Sequence, residues 1–345
     1  MRKALTLAAI LVASTANIAL AQGKLIAVSW KTFQEERWKH DEAAIKAVVE
    51  AAGDKYISTD AQNSAQKQAA DIESLIAQKP DVILVVPFDS DAILPSIKAI
   101  QNAGIKSIAY DVQFEDPNSL YITYDNVGVG KLMAQTMLAK GKKSGNFAYV
   151  KGDKGDPNSQ FLAMGFESVL KPQIAAGKIK VVCDNNVDGW KPDNAQKVME
   201  QCLTANNNKI DAVISENDGM ASGVVAALAA QGLAGQVAVT GQDGDTAALN
   251  RVALGTQLVS VWKDSAVLGK RAGEAAVAMA NGTPISKLKG VIKFADGKHH
   301  VSMPAILLTP DAITKANLED PIKAHHVTKA EVCAGVPAGK VAACN

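Results

Sequence analysis

The feature that most constrains the fold is a pair of short apolar runs joined by a helix-like segment. The runs span residues 210–215 and 237–240, and the segment between them spans 220–231. Buried parallel strands read as continuous apolar runs, and parallel neighbours need a crossover connection that is usually helical. Residues 206–245 are therefore predicted to form a βαβ unit.

The same alternation of strand-like and helix-like segments runs along most of the chain. Further strands are predicted at 25–29, 56–59, 81–86, 105–110, 120–124, 146–150, 179–183, 258–262 and 301–308. Helices are predicted at 35–52, 63–78, 92–102, 128–139, 159–176, 194–205 and 265–280, with Asn63 and Gln66 resembling a capping box. This alternation indicates an α/β fold of parallel sheets covered on both faces.

The βα units fall into two blocks, one before and one after about residue 126. Each block is long enough for one domain, so two similar lobes with a cleft between them are predicted. No Gly-, Ser- or Pro-rich linker separates the blocks, which favours a short hinge over two independent domains.

The N-terminus has the pattern of a secretory signal peptide. Met1-Arg2-Lys3 is basic, residues 4–18 are mostly small and apolar, and Ala19-Leu20-Ala21 is an A-x-A cleavage pattern. A membrane anchor is the alternative, but Ser14, Thr15 and Asn17 dilute the apolar run. Residues 1–21 are therefore predicted to be removed on export to the periplasm.

The charge balance argues against a nucleic-acid partner. Of the 36 Lys and Arg residues, Arg2 and Lys3 lie in the predicted signal peptide, which leaves 34 cations against 35 Asp and Glu. Nucleic-acid binding requires a clustered excess of cations, and no basic face or tail is evident.

The four cysteines show no C-x-x-C spacing, which disfavours redox and zinc motifs. In an oxidising compartment pairs are expected. Cys333 with Cys344 would close a small loop in the tail, and Cys183 with Cys202 would join a strand to a helix. For the latter two, buried free thiols are the alternative.

Polar and aromatic residues recur at the ends of the predicted strands. Carboxylates accept hydrogen bonds from hydroxyls, cations and amides donate them, and indole rings cover the C–H faces of a sugar ring. Such a mixture suits a small neutral polyol. The candidate binding residues are Lys31, Arg37, Trp38, Asp111, Asp156, Asn158, Trp190, Asn217, Asp243 and Lys263.

Each candidate residue also has a purely structural interpretation. Asp111 and Asp243, taken singly, fit turn residues at strand ends, and Trp38 fits helix packing. Asp125 and Asp218 are predicted to be helix N-caps, and Gln242 to be structural. The functional interpretation depends on so many such residues falling at one edge of the predicted sheets.

Signals for catalysis and for cofactors are weak. The segment at 128–134 lacks the third glycine of a dinucleotide fingerprint, and no G-x-S-x-G motif occurs. The His pairs at 299–300 and 325–326 are predicted to be solvated, with a metal site as a minor alternative. We predict neither a cofactor, a metal nor an enzymatic activity; a secreted carbohydrate-active enzyme is the alternative from another class.

Several segments resemble the periplasmic D-xylose-binding proteins of sugar ABC transporters, over nearly the whole chain. They are 177–182, Val187-Asp-Gly-Trp190, 203–213 and Gly241-Gln-Asp243, with Glu36-Arg37-Trp38, Ala109-Tyr-Asp111 and Asp125-Asn126. The resemblance implies a type I periplasmic binding protein, with two Rossmann-like lobes, three crossover segments and a sugar in the cleft.

The resemblance also implies a domain layout and partners. It assigns 24–126 plus about 263–290 to the N-terminal lobe, 127–262 plus about 291–320 to the C-terminal lobe, and 321–345 to a tail. It implies a monomer that delivers a monosaccharide, D-xylose first among the candidates, to an ABC permease. Another pentose, hexose or cyclic polyol, and a role as a chemoreceptor ligand, are the alternatives.

The resemblance places the sugar contacts on Arg37, Asp111, Asp156, Asn158, Asn217, Asp243 and Lys263, with stacking by Trp38 and Trp190. One departure concerns the residue after Asp111, which is typically Arg in these proteins and is Val112 here. Lys31 also replaces a small or acidic residue. We expect Lys31 to supply the missing cation from across the cleft.

Overall fold

The computed structural model describes residues 23–345, so the predicted signal peptide lies outside the described residues. Along this part of the chain the strands are β1 (Leu25–Trp30), β2 (Lys55–Asp60), β3 (Val82–Val85), β4 (Lys106–Tyr110), β5 (Leu120–Tyr124), β6 (Gly145–Lys151), β7 (Ile179–Asn186), β8 (Ala212–Ser215), β9 (Ala238–Gln242), β10 (Val259–Trp262), β11 (Ile292–Phe294), β12 (Met303–Leu308) and β13 (Asp311–Ile313). The helices are α1 (Arg37–Ala51), α2 (Ala65–Ala77), α3 (Leu94–Asn102), α4 (Asn126–Ala139), α5 (Pro157–Ala175), α6 (Pro192–Ala205), α7 (Asp218–Ala230), α8 (Thr246–Leu254), α9 (Ser265–Ala280), α10 (Glu319–Lys323) and α11 (Lys329–Val332).

The strands form two sheets, one in each lobe. The first sheet has the order β11-β12-β5-β4-β3-β1-β2, and the second has the order β13-β10-β9-β8-β6-β7. All pairings are parallel except β11 with β12 and β10 with β13, which are antiparallel edge pairs. The predicted two-lobed architecture of mainly parallel sheets is confirmed.

Both faces of the first sheet are buried, which explains the continuous apolar runs. Along β3, Val82 and Leu84 pack into one hydrophobic cluster with residues of α1 and α9, whereas Ile83 and Val85 pack into another with residues of α2 and α3. Successive strand residues point to opposite faces, so a strand covered on both sides needs apolar residues at every position.

The chain passes between the lobes three times, after β5, after β10 and after β12. The third crossing corrects one prediction. Residues 291–320 were assigned to the second lobe, but β11 and β12 belong to the first sheet, where Ala305 of β12 pairs with Tyr121 of β5. The apolar run in β12 predicts a strand but carries no information about which sheet it joins.

Two local predictions about helix caps are also wrong. The cap of α2 is Ser64, whose hydroxyl accepts a hydrogen bond from the Lys67 amide at 3.2 Å, and not Asn63. The cap of α7 is Asn217, whose Oδ1 accepts from the Met220 amide at 2.8 Å, and not Asp218. The prediction for Asp125 is confirmed, since its Oδ1 accepts from the Gly128 amide at 2.9 Å.

Both predicted disulfides are confirmed. Cys183 at β7 is bonded to Cys202 of α6, and Cys333 is bonded to Cys344 in the tail. Between residues 23 and 345, no helix is both long enough and apolar enough to cross a membrane.

Candidate functional site

A small cavity lies between the lobes, at the carboxyl ends of the parallel strands. Its volume is about 20 Å³, roughly enough for one water molecule. All ten predicted binding residues line it, together with two others. The lining residues are Lys31, Glu35, Arg37, Trp38, Asp111, Asp156, Asn158, Trp190, Asn217, Gln242, Asp243 and Lys263.

The first lobe contributes residues from two chain segments. Lys31 follows β1, and the chain then turns into α1, whose first two residues are Arg37 and Trp38. Asp111 follows β4 and has a left-handed backbone, with φ of 60°. Carboxyl ends of parallel strands meet at one edge of a sheet, so these residues converge although they are distant in sequence.

The second lobe presents its polar residues from helix N-termini and strand ends. Asp156 caps α5 through Oδ1, which accepts from the Asn158 amide at 3.0 Å, so its Oδ2 remains for a partner across the cleft. Asn217 similarly caps α7 through its Oδ1, which leaves its amide nitrogen without a partner in the cap. Capping therefore fixes the orientation of these side chains.

Arg37 is the centre of an ion-pair network. Its guanidinium contacts Asp41 of the same helix at 3.1 Å, Asp111 of the same lobe at 3.0 Å and Asp243 of the other lobe at 3.3 Å. Lys263, on the second crossover, approaches the same oxygen atoms of Asp111 and Asp243 at 3.6 and 3.3 Å. One guanidinium and one ammonium thus hold a carboxylate from each lobe.

The ion pair between Lys31 and Asp156 crosses the cleft on the other side of the cavity. Its N–O distance is 3.0 Å, and both side chains are buried. Asn158 adds a cross-cleft contact, donating from Nδ2 to the Asp111 backbone carbonyl at 3.3 Å. The two lobes are therefore in contact through charged and amide groups, which is the geometry of a closed cleft.

Pairing favours the charged forms of Arg37 and Asp111 in spite of their burial. Burial opposes ionisation of Asp111, but Arg37, Lys263 and Lys31 outweigh it and hold the pKa of this carboxyl below its usual value. Burial likewise disfavours the charged Arg37, but Asp111, Asp41 and Asp243 raise its pKa well above the usual value. A ligand entering here meets fixed charges in a water-poor site.

Glu35 was not among the predicted residues. It is 9% exposed, and its Oε2 accepts a hydrogen bond from the indole nitrogen of Trp38 at 2.6 Å. Burial raises the pKa of this carboxyl, against the opposing effect of Lys31. Its position in the sequence, between Lys31 and Arg37, could have indicated Glu35 as a binding residue. The sequence does not specify whether the short turn directs the Glu35 side chain toward the cavity.

The second additional lining residue, Gln242, was predicted to be structural. It is the last residue of β9, it is buried, and its Oε1 has no hydrogen-bond partner among the described residues. A buried amide without a partner is costly. The cavity therefore offers Gln242 as an acceptor beside Asp243.

Asp218 lies behind the cavity and has no place in its lining. Its Oδ2 accepts from the Gly244 amide at 3.0 Å and from the Ser260 hydroxyl at 2.5 Å, and its Oδ1 accepts from Gln257 at 2.7 Å. Asp218 thus supports the turn after β9 from which Asp243 projects.

Two tryptophans, Trp38 from the first lobe and Trp190 from the second, line the cavity. The Arg37 guanidinium lies 4.4 Å from the ring centroid of Trp38, and Lys31 Nζ lies 5.5 Å from it. Trp190 is 6% exposed, and its indole nitrogen has no partner among the described residues. The protein holds both indole rings in place. Each ring keeps a surface, either its apolar face or its polar N–H edge, directed toward the cavity.

Val112 faces away from the cavity and packs in the core of the first lobe with 1% exposure. No cationic side chain takes the place of the arginine that is expected at position 112. The prediction that Lys31 acts from across the cleft is wrong, because Lys31 follows β1 of the same lobe as Val112. Lys31 lines the cavity and is paired with Asp156 of the other lobe.

The histidines form no metal cluster in the described part of the chain. His299, His300 and His325 are exposed, as predicted. His326 is not, since it is half-buried and its Nε2 lies 2.8 Å from the Gly244 carbonyl. The prediction that His326 is exposed assumes that the tail does not pack against the rest of the protein, and the tail does pack there.

Comparisons with known proteins agree with the architecture. Residues 26–284 match a family model described as periplasmic binding protein domain. The chain is 39% identical to the D-xylose-binding periplasmic protein of Escherichia coli K12 over 288 residues, covering 83% of this chain and 86% of that protein. It is 35% identical to the D-xylose-binding periplasmic protein of Haemophilus influenzae Rd over 298 residues, covering 86% and 88% of the two chains.

A solved structure of an ABC transporter solute-binding protein from Clostridium phytofermentans, with bound β-D-glucose, superposes with a TM-score of 0.81. The two sequences are 26% identical, and the match covers 90% of this chain and 100% of that chain. The structural similarity confirms the predicted fold class.

Proposed function

Because this chain belongs to the periplasmic binding protein family, we propose that it binds a monosaccharide in the cavity between its lobes. D-xylose is the first candidate, since two relatives at 39% and 35% identity are D-xylose-binding proteins. The protein captures the sugar in the periplasm and delivers it to an ABC permease. The chain acts as a monomer.

The observation that carries this proposal is the composition of the cavity lining. The lining contains three cations, four carboxylates, three carboxamides and two indole rings. The charges are nearly balanced, so a neutral ligand is favoured over an anion or a cation. Alternating donors and acceptors match a row of sugar hydroxyls, each of which both donates and accepts.

Binding proceeds by hinge closure around the sugar. In the closed geometry, Arg37 and Lys263 hold Asp111 and Asp243 from opposite lobes. The cavity of about 20 Å³ is smaller than a pentose, so the lobes separate to admit the sugar and its hydroxyls insert between these pairs. The sugar then shifts the equilibrium toward the closed form because it contacts both lobes.

The identity of the sugar depends on the first lobe. The residues proposed to contact the sugar hydroxyls are Arg37, Asp111, Asp156, Asn158, Asn217, Asp243 and Lys263. Trp38 and Trp190 are proposed to lie against the sugar ring. With valine at 112 in place of arginine, Lys31 is the cation proposed to donate on that side. Because valine replaces arginine, a second candidate class stays behind D-xylose, namely another pentose, a hexose or a cyclic polyol. One structural relative holds glucose.

A thermal-shift panel of pentoses, hexoses and cyclic polyols tests the proposal, followed by calorimetry on the hits. A ligand at 100 times its dissociation constant stabilises the folded state by about 2.7 kcal/mol. D-xylose is expected to give the largest shift. A panel in which no monosaccharide shifts the melting temperature would refute the proposed function.

Asp243→Asn links the binding to this cavity. Asparagine preserves the shape and tolerates the left-handed backbone, where φ is 99°, whereas alanine would add strain. Loss of the charge weakens its bonds to Arg37, Lys263 and the sugar, so affinity is expected to fall about 10- to 100-fold. The control is Asp296→Asn at an exposed position, which is expected to keep wild-type affinity.

Two alternative roles have direct tests. A carbohydrate-active enzyme would convert xylosides or free sugars during prolonged incubation, and we expect no turnover. A chemoreceptor ligand would use the same closed form as transport, so it is tested by binding of the sugar-loaded protein to receptor periplasmic domains.

A further inference from the structure

His326 of the C-terminal tail lies against Gly244, next to the cavity residue Asp243. The tail follows β13 and includes α10 and α11. The binding role of Asp243 does not account for it. A role of His326 in holding the shape of the cavity rests on the proposed function.

The tail is firmly attached to the second lobe. Val327, Val332 and Val341 are buried in one hydrophobic cluster with Leu249 of α8 and with Trp262. Asn250 of α8 donates to the carbonyls of residues 332 and 334 at 2.9 and 2.8 Å. The Cys333–Cys344 disulfide closes the end of the tail. His326 therefore projects from a fixed support.

The His326 ring makes three contacts. Its Nε2 lies 2.8 Å from the Gly244 carbonyl oxygen, and because a carbonyl can only accept, Nε2 carries the hydrogen. Its ring centroid lies 5.4 Å from that of Trp262 and 5.6 Å from that of His40. His40 belongs to α1 of the first lobe, so this ring touches both sides of the cleft.

The Gly244 carbonyl belongs to a turn in which the backbone of Asp243 is strained. Asp243 and Gly244 have φ values of 99° and 79°, and a Cβ on Gly244 would lie 2.4 Å from the Trp262 ring. Strained backbone persists only where several partners hold it. The Gly244 amide donates to Asp218 and Ser260 at 3.0 Å each, and His326 holds the carbonyl.

We propose that His326 is a positioning residue. It holds the turn that presents Asp243 to the cavity, and through His40 it links the tail of the second lobe to the first lobe in the closed form. Burial and the neighbouring His40 lower the pKa of His326, which favours the neutral ring that donates from Nε2.

The test compares two substitutions that separate packing from hydrogen bonding. His326→Phe keeps an aromatic ring against Trp262 and His40 but removes the donor. His326→Gln keeps a donor at a similar reach. His325→Gln, at the exposed neighbouring position, is the control. The readouts are hydrogen exchange of peptides containing residues 243–246 without sugar, and the sugar dissociation rate in stopped-flow fluorescence.

His326→Phe is expected to speed exchange in this turn and to raise the dissociation rate about three- to ten-fold, the loss expected for one hydrogen bond. His326→Gln is expected to return both toward wild type, and His325→Gln to change neither. Unchanged exchange and dissociation in His326→Phe, or equal defects in the Phe and Gln variants, would overturn the inference. If the wild-type chain bound no sugar, the proposed function would fail, while the exchange comparison would still decide the role of His326.

Discussion

Glu216 lies between the last residue of β8 and the cavity residue Asn217, and it is fully buried. Its Oε2 accepts from the Gly152 amide at 2.6 Å and from the Ser159 hydroxyl at 2.7 Å, so it joins three segments behind the cavity. Burial raises the pKa of this carboxyl to about 8. The folded protein therefore holds a proton here at neutral pH that the unfolded chain releases.

This proton has a predictable effect on stability. Between the unfolded pKa, near 4.5, and the folded pKa of about 8, the folded state binds more protons, so the free energy of unfolding decreases as pH rises. Glu216→Gln retains the neutral form and removes this contribution. Relative to wild type, the variant is therefore expected to gain stability from pH 5 to pH 8.

Urea unfolding at the two pH values measures this difference. Glu73→Gln, at an exposed position of α2, serves as control and is expected to follow the wild-type pH dependence. A constant difference between Glu216→Gln and wild type at both pH values would show that the folded protein ionises Glu216 as readily as the unfolded chain does.

The site residues differ in how well the sequence identifies them. Asp111, Asn217 and Asp243 could be predicted because each follows a recognisable buried strand, and strand ends converge. Glu35 could not, because the pattern predicts it as the first residue of a helix over 35–52, whereas α1 begins at Arg37 and Glu35 lies in the turn before it. Asn217 and Asp218 are adjacent and both can cap a helix, so only the backbone direction decides which one does.

At the scale of elements, α4 and α5 pack so closely that one helix touches the backbone of the other. A Cβ on Gly130 of α4 would lie 2.0 Å from the Leu162 carbonyl oxygen of α5. Such proximity requires a residue without a side chain. The glycine therefore serves packing, although alanine has the higher intrinsic helix propensity.

Gly130→Ala is accordingly expected to destabilise the protein by about 1–3 kcal/mol, because the overpacking outweighs the gain of about 1 kcal/mol in helix propensity. Gly219→Ala in α7 is the matched control, since its Cβ would have no neighbour closer than 3.6 Å, and it is expected to be neutral or stabilising. Denaturant unfolding measures both. A Gly130→Ala variant as stable as Gly219→Ala would contradict the close packing.

The inner strands of the sheets and most helices could be predicted, whereas α8 and the edge strands β11 and β13 could not. The strand β5 and the helix α9 occur at the predicted residues. They could be predicted because the apolar run of β5 and the helical periodicity of α9 are distinctive. The helix α8 and the edge strands β11 and β13 had no prediction. β11 and β13 each span three residues and pair at an edge, so tertiary contacts rather than local pattern define them.

At the scale of the whole molecule, ion pairs join the two lobes across the cleft, and the proposed hinge closure would bring them together. The pair between Lys31 and Asp156 is buried on both sides. Lys31→Met leaves Asp156 buried without its partner in the closed form. Removing one member of a buried pair costs about 3–5 kcal/mol, and this cost applies to the closed form alone.

Lys31→Met is therefore expected to need at least about 100-fold more sugar to close. Small-angle scattering during a sugar titration measures the radius of gyration, which decreases on closure. Lys24→Met breaks a half-exposed ion pair with Asp81 within the first lobe and is expected to close like wild type. Closure of Lys31→Met at the wild-type sugar concentration would exclude a role of this pair in the hinge equilibrium.

The path of the chain through the two sheets has a consequence for the order of folding. Five of the six strands of the second sheet, β6 to β10, are contiguous in the chain, whereas the first sheet has β12 beside β5 and is complete only after residue 308. The strands β1 to β5 of the first sheet are also contiguous and come earlier, but the partner of β5, β12, follows only after all of β6 to β10. Both sheets are completed only by the last strands, β12 and β13, and until β12 pairs, the edge of β5 is open to wrong partners.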